Sequence, residues 1–199
     1  MAEEGETEQI QAIDDNDEPE ITPGYKPPAQ KTLDEITQLD QDDESLNKYK
    51  KTLLAGAEAV EDDGGANVQV KAMVFLVEGR EDIVLDLTGD LTKLKAKPIT
   101  IKEGIQYRLA IKFRVQREIV PGLRYCYQIY RKAVRVEKSN LMVGSYGPNN
   151  DPHSFKTPLE DAPSGMISRG HYTVKSKFTD DDKTSILEWE WSFDIKKDW

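Results

Sequence analysis

The feature that most constrains this chain is the period of its apolar residues, which is two from Val68 onward. Val68 and Val70 alternate with Gln69 and Lys71, and Tyr107, Leu109, Ile111, Phe113 and Val115 alternate with Arg108, Ala110, Lys112 and Arg114. Tyr172, Val174, Ser176 and Phe178 alternate with Thr173, Lys175 and Lys177; Trp189, Trp191, Phe193 and Ile195 alternate with Glu190, Ser192 and Asp194. Successive side chains of a strand point to opposite faces, so such runs bury one face and wet the other, as antiparallel strands do. Turn signals divide the runs: Gly64-Gly65, Thr88-Gly89-Asp90, Lys102-Glu103-Gly104, Pro121-Gly122, Gly147-Pro148-Asn149-Asn150, Pro163-Ser164-Gly165, and 179–183. Pro121-Gly122 suits the central positions of a type II turn. Pro98 is allowed as the lead-in to a strand at Ile99-Thr100-Ile101. The spacing predicts an all-β sandwich of about eight strands over residues 64–199. No strand–helix alternation points to a parallel sheet.

Charge separates this body from what precedes it. Residues 1–63 hold 19 acids against 5 bases, and residues 64–199 hold 18 acids against 22 bases. The first 22 residues carry nine acids, no base and no aromatic residue. Such a segment buries too little apolar surface to offset ordering entropy, so residues 1–24 are expected to be disordered. Tyr25-Lys26-Pro27-Pro28 is an extended segment. Thr32-Leu33-Asp34-Glu35 then forms a capping box, followed by Leu33, Ile36 and Leu39 at helical spacing. Asp42 and Asp43 can cap a second helix whose apolar stripe is Leu46, Tyr49 and Leu53, with Gly56 as its stop. Helices this short are marginal alone in water, so a hairpin over about 32–55 either orders on a partner or packs on the body.

Several classes are excluded as expectations. No run of about 18 apolar residues exists, so no membrane span is predicted. The start, Met-Ala-Glu-Glu, lacks a basic-then-apolar leader. Cys126 is the single cysteine, which rules out an internal disulfide and points to a reducing, cytoplasmic setting. The body's small positive surplus does not make a nucleic-acid stripe. There is no Walker A sequence, no G-x-G-x-x-G and no G-x-S-x-G. His153 and His171 sit near turn signals and read as surface residues. Two histidines and one cysteine are too few for a zinc site. Cys126, between Tyr125 and Tyr127, reads as a structural thiol. Asp180-Asp181-Asp182 reads as a solvated turn. No catalytic residue, metal or cofactor is expected, and no enzymatic activity.

What remains is the inner face. Trp189, Trp191, Phe193 and Ile195, with Leu109, Ile111, Phe113, Val174 and Phe178, either fill an ordinary sandwich core or line a gap that accepts an apolar ligand. Periodicity does not separate the two.

Six segments in order carry a resemblance. They are Tyr25-Lys26-Pro27-Pro28-Ala29-Gln30-Lys31, Asp42-Asp43-Glu44-Ser45-Leu46, Leu85-Asp86-Leu87-Thr88-Gly89-Asp90, Met142-Val143-Gly144-Ser145-Tyr146-Gly147-Pro148, Phe178-Thr179-Asp180-Asp181-Asp182-Lys183, and Trp189-Glu190-Trp191 with the terminal Lys196-Lys197-Asp198-Trp199. From about Tyr25 to the end, the chain resembles the Rho GDP-dissociation inhibitors. The resemblance implies an immunoglobulin-like β-sandwich with an acidic regulatory arm at residues 1–63. It implies a cytosolic partner of Rho- and Rac-type small GTPases in the GDP-bound, geranylgeranylated form, bound one to one, with no nucleic acid and no stable membrane insertion. The geranylgeranyl group is then expected between the sheets, against Phe75, Ile99, Leu109, Ile111, Ile119, Ile167, Val174, Trp189 and Trp191. The arm is expected on the GTPase switch regions through Tyr25, Leu39, Asp43 and Leu46. Asp182 is expected to pair with a GTPase cation, and Glu160 and Asp161 to attract the basic stretch before the prenyl cysteine. Strand parity independently supports Leu109, Ile111, Val174 and the two tryptophans. The rival expectation is a general carrier of prenylated or acylated cargo that uses the sandwich without the arm.

Overall fold

The computed structural model describes residue 35, residues 42–54, 60–182 and 184–199. Two sheets face each other, as the alternation predicts. One has the order β2-β1-β4-β7, from Ile83–Asp86, Val68–Val77, Gln106–Val115 and His153–Lys156. Its fifth strand, β8 (Glu160–Asp161), also pairs with β4. The second has the order β3-β10-β9-β5-β6, from Ile99–Lys102, Ser185–Lys196, Gly170–Thr179, Val120–Arg131 and Val134–Tyr146.

Ten strands thus stand among the described residues where about eight were expected. The surplus is in strands of two to four residues, too short to display a period. β7 and β8 share one edge of β4 end to end, meeting Ala110–Phe113 and Gln106–Tyr107 respectively. Thr157 fills the gap between them: its N–H donates to the Leu109 carbonyl at 2.8 Å, and its hydroxyl accepts from the Leu109 N–H at 3.0 Å.

Three local expectations need correction. The Pro121-Gly122 pair is not a turn between strands but lies inside β5. Between the partners Val120↔Tyr146 and Leu123↔Gly144, β5 advances three residues while β6 advances two. That is a bulge, where a proline's missing N–H is tolerated and a glycine takes the left-handed conformation; Gly122 has φ of 60°. The true β5–β6 hairpin turns at Lys132-Ala133, with φ of 47° and 67°. Two consecutive left-handed residues make the hairpin-type turn usually built from Asn and Gly. Nothing in its composition announces it. Finally, β3 runs parallel to β10, with Phe193↔Ile99 and Ile195↔Ile101 in register, although the other pairings among the described residues are antiparallel. A short helix, Thr92–Ala96, returns the chain from the first sheet to the edge of the second.

The core lies between the inner faces. Phe113 of one sheet meets Phe178 of the other at 5.2 Å between ring centroids, and Tyr146 edge-on at 4.9 Å. The arm helix, Glu44–Leu54, is capped as expected: the Leu46 N–H donates to Asp43 Oδ1 at 2.9 Å. Its C-terminal end lies against the body. A β-carbon placed on Gly147 would fall 1.9 Å from the Leu53 carbonyl oxygen. Only glycine permits this approach. A shallow open hollow beside it is lined by Thr52, Leu53, Tyr146, Gly147, Pro148, Asn149 and His153.

Two substitutions test the strand geometry by urea unfolding. Gly122→Ala adds left-handed strain and places a β-carbon 2.6 Å from Asp181 Cβ; it lowers stability by about 1–3 kcal/mol. Ala133→Gly relieves a strained turn position and raises stability by up to about 1 kcal/mol.

Candidate functional site

The register brings the expected apolar positions into rows. On the first sheet Phe75 stands opposite Leu109, and Met73 opposite Ile111. On the second, Trp189 stands opposite Ser176, Trp191 opposite Val174, and Ile99 opposite Phe193. Phe75, Ile99, Leu109, Ile111, Val174, Trp189 and Trp191 are all buried in one continuous core. The two faces touch where Phe113 meets Phe178 and where Tyr125 reaches Met73. Ile119 is half-buried just before β5 and is not one of the buried set. Ile167 is not brought into it: it is 87 % exposed beside Met166, at the tip of the segment before β9. The base of that segment is held firmly. Arg169 Nε and Nη2 donate to Glu103 at 2.9 and 2.7 Å, and the Gly165 N–H donates to Glu103 at 3.0 Å. These bonds, led by that from Arg169, hold the Glu103 carboxyl below its ordinary range.

Polar groups are threaded through this apolar layer. Ser176 is the small residue of its row, since Trp189 and Tyr127 pair with it from either side. Trp191 Nε1 donates to Ser176 Oγ at 3.1 Å, and the Tyr125 hydroxyl lies 3.0 Å from the same oxygen and 3.9 Å from Met73 Sδ. Tyr125 stacks on Trp189 with centroids 5.9 Å apart. Trp189 Nε1 is equally buried, yet it has no hydrogen-bond partner among the described residues. An unmatched buried donor costs about 1–3 kcal/mol, and native proteins carry few.

One end of the layer is rimmed by phenols and carboxylates. The Tyr127 hydroxyl lies within donating distance of both Glu160 (2.9 Å) and Glu137 (3.1 Å), joining β5, β6 and β8. Tyr107 stacks on Phe75 at 4.9 Å and faces the same carboxylate, Glu160. Burial, and then the Glu160 charge, push the Tyr107 and Tyr127 phenols well above their usual value, and burial does the same to Tyr125.

Expected partner-facing residues fall as follows. Asp43 is exposed at the arm helix's cap, Leu46 is half-buried, and Tyr49 is 52 % exposed, leaving part of the stripe open. Glu160 is half-buried on the phenol rim and Asp161 is exposed beside it. Asp182 is exposed in the turn between β9 and β10, whose Asp180 Oδ1 accepts from the Thr184 N–H at 2.8 Å. Tyr25, Leu39, the Thr32 capping box, the first helix apart from helical Glu35, and residues 1–24 lie outside the described residues. Sequence reasoning did not single out Tyr107, Tyr127 or Ser176 as site residues. Tyr107 shows only the strand parity of any core residue, and the roles of Tyr127 and Ser176 depend on partners far away in sequence. His153 Nε2 lies 2.9 Å from the Gly147 carbonyl and His171 Nδ1 lies 2.8 Å from Asp194, so both histidines serve local structure.

Together these features define a class: a β-sandwich binding module with an aromatic inner face and a capped helix from an acidic arm. Comparison with protein-family models matches residues 10–198 to the family described as RHO protein GDP dissociation inhibitor. Rho GDP-dissociation inhibitor 1 of Homo sapiens is 49 % identical over 202 residues, covering 100 % of this chain and 99 % of that protein. Its counterpart in Rattus norvegicus is 48 % identical over the same span, and Rho GDP-dissociation inhibitor 3 of Homo sapiens is 48 % identical over 181 residues, covering 90 % of this chain and 80 % of that protein. The chain belongs to the Rho GDP-dissociation inhibitor family, whose members are regulatory binding proteins rather than enzymes.

The buried phenols give a pH expectation. Their folded values lie above the ordinary value of about 10, so the stabilisation they carry is complete below that pH and is lost as pH rises beyond it. Absorbance titration near 295 nm should leave these three of the 8 tyrosines protonated past pH ~11 until the chain unfolds. Tyr127→Phe removes the shared donor from Glu137 and Glu160 and costs about 1–2 kcal/mol in urea unfolding.

Proposed function

We propose that this chain acts in the cytoplasm as a Rho GDP-dissociation inhibitor. It binds GDP-bound, geranylgeranylated Rho- or Rac-type GTPases one to one, slows loss of GDP through the arm, and withdraws the GTPase from membranes by sheltering the lipid between the sheets. The observation that carries this reading is the family match across residues 10–198, at about half identity to curated relatives over the whole chain. The aromatic inner face supports the lipid half of it, and the exposed part of the capped helix supports the arm half.

The energetics call for both halves. Membrane partition is worth at most ~0.8 kcal/mol per buried CH₂, or up to ~16 kcal/mol for a C20 chain before discounting its double bonds. Polar contacts alone compete poorly with that. A dry protein interior roughly cancels the transfer, and contacts from the arm then tip the balance. In this reading Phe75, Ile99, Leu109, Ile111, Val174, Trp189 and Trp191 part to admit the chain. Ile119 and the exposed Ile167 close over it from the margin, and Glu160 and Asp161 face the basic stretch that leads to the lipid. Tyr25, Leu39, Asp43 and Leu46 engage the switch regions, and Asp182 pairs with a GTPase cation.

The test is incubation with membranes carrying prenylated Rac or Rho, followed by sedimentation, with unprenylated GTPase as control. Wild type should move only the prenylated GTPase into the supernatant. Trp189→Ala should cut extraction by about tenfold or more, since it removes much of the wall. Asp43→Asn keeps a capping oxygen, so its main effect should be on nucleotide exchange, where inhibition weakens by roughly tenfold on loss of a charge-assisted bond. Negligible effects from both variants would count decisively against the reading.

A further inference from the structure

We propose that the indole N–H of Trp189 recognises the lipid directly, and that it makes the inter-sheet site select unsaturated isoprenoid chains over saturated acyl chains of similar length. The inference rests on the reading of the inner face as a lipid site and names the chemistry that this site prefers.

Two tryptophans stand two residues apart on β10, on the same face and equally buried. Their N–H groups are treated differently. Trp191 Nε1 is matched by Ser176 Oγ at 3.1 Å, and the Tyr125 hydroxyl takes the other side of that oxygen at 3.0 Å. Trp189 Nε1 has no partner among the described residues. Tyr125 lies beside the Trp189 ring in an offset, nearly parallel stack, at an interplanar angle of 15° with centroids 5.9 Å apart. Trp191 is thereby a fixed wall, and Trp189 is a wall with an unused donor.

Buried donors are almost always matched, so an unmatched one on the inner face is a donor free to meet an acceptor that arrives between the sheets. A hydrocarbon tail supplies no oxygen or nitrogen. An isoprenoid supplies one carbon–carbon double bond in each five-carbon unit, and its π electrons accept a weak hydrogen bond from an N–H. A saturated acyl chain offers no acceptor and leaves Trp189 as it is in the free protein. The donor therefore contributes little to binding lipid as such and much to the choice between lipids.

The experiment uses the full chain labelled with nitrogen-15 and two probes: a peptide ending in S-geranylgeranyl cysteine methyl ester, and the same peptide with its lipid fully hydrogenated. The 3 tryptophans give three indole N–H resonances, assigned from Trp189→Phe and Trp199→Phe chains. The Trp189 resonance should move on adding the geranylgeranyl peptide, move far less with the hydrogenated one, and move more than that of Trp191 in both cases. Wild type should favour the unsaturated peptide by roughly two- to five-fold, and in Trp189→Phe that ratio should fall to about one, whatever the change in absolute affinity. The proposal is overturned by equal affinity of wild type for the two peptides, by a ratio unchanged in Trp189→Phe, or by a Trp191 resonance that moves in place of Trp189. If neither peptide binds, the reading of the inner face as a lipid site fails as well.

Discussion

Burial of aromatic and aliphatic surface between two sheets is the interaction on which the rest of this molecule depends. The alternation of β4, β9 and β10 turns one face of each inward, where Phe113 meets Phe178 and Phe75 packs beside Leu109. Apolar burial is non-directional and on its own tolerates many packings. Register here is sharpened by a few buried polar contacts. Ser176 receives Trp191 and meets Tyr125, and Thr157 completes the edge of β4 where β7 gives way to β8. A slip by one residue would bury the lysines of β9 and break these bonds together.

In the proposed reading the same layer is where the lipid is received. The layer is built of large rings in mutual contact, and it holds one buried donor, Trp189 Nε1, with no partner among the described residues. Its rim is polar at one end, where Tyr127 joins Glu137 and Glu160, and the turn carrying Met166 and Ile167 is clamped at its base by Arg169 and Glu103 while its tip stays in water. If the layer receives the lipid as proposed, stability and binding draw on the same residues, and stabilising the layer further would work against admitting a ligand.

The arm follows a different logic. Its helix is set by local rules, with Asp43 at the cap and Leu46, Tyr49 and Leu53 on one stripe, yet it is too short to be stable alone. It finds support where Leu53 meets Gly147, a contact that needs the absence of a side chain 94 positions later in the chain. The hairpin at Lys132-Ala133 is a converse case. There the pull of two long strands holds residues of no special turn preference in left-handed conformations.

The amino-acid sequence by itself determined the sandwich, the inward residues of its long strands, the Asp43 cap and the family, because period, caps and ordered motifs are local properties. Tertiary structure alone decided the bulge at Pro121-Gly122, the parallel entry of β3, the separation of Ile167 from the buried set, and the unequal fates of Trp189 and Trp191. Each of these depends on which distant group arrives opposite a given atom, and hydrophobic periodicity reports the face a side chain takes but not the partner it meets there.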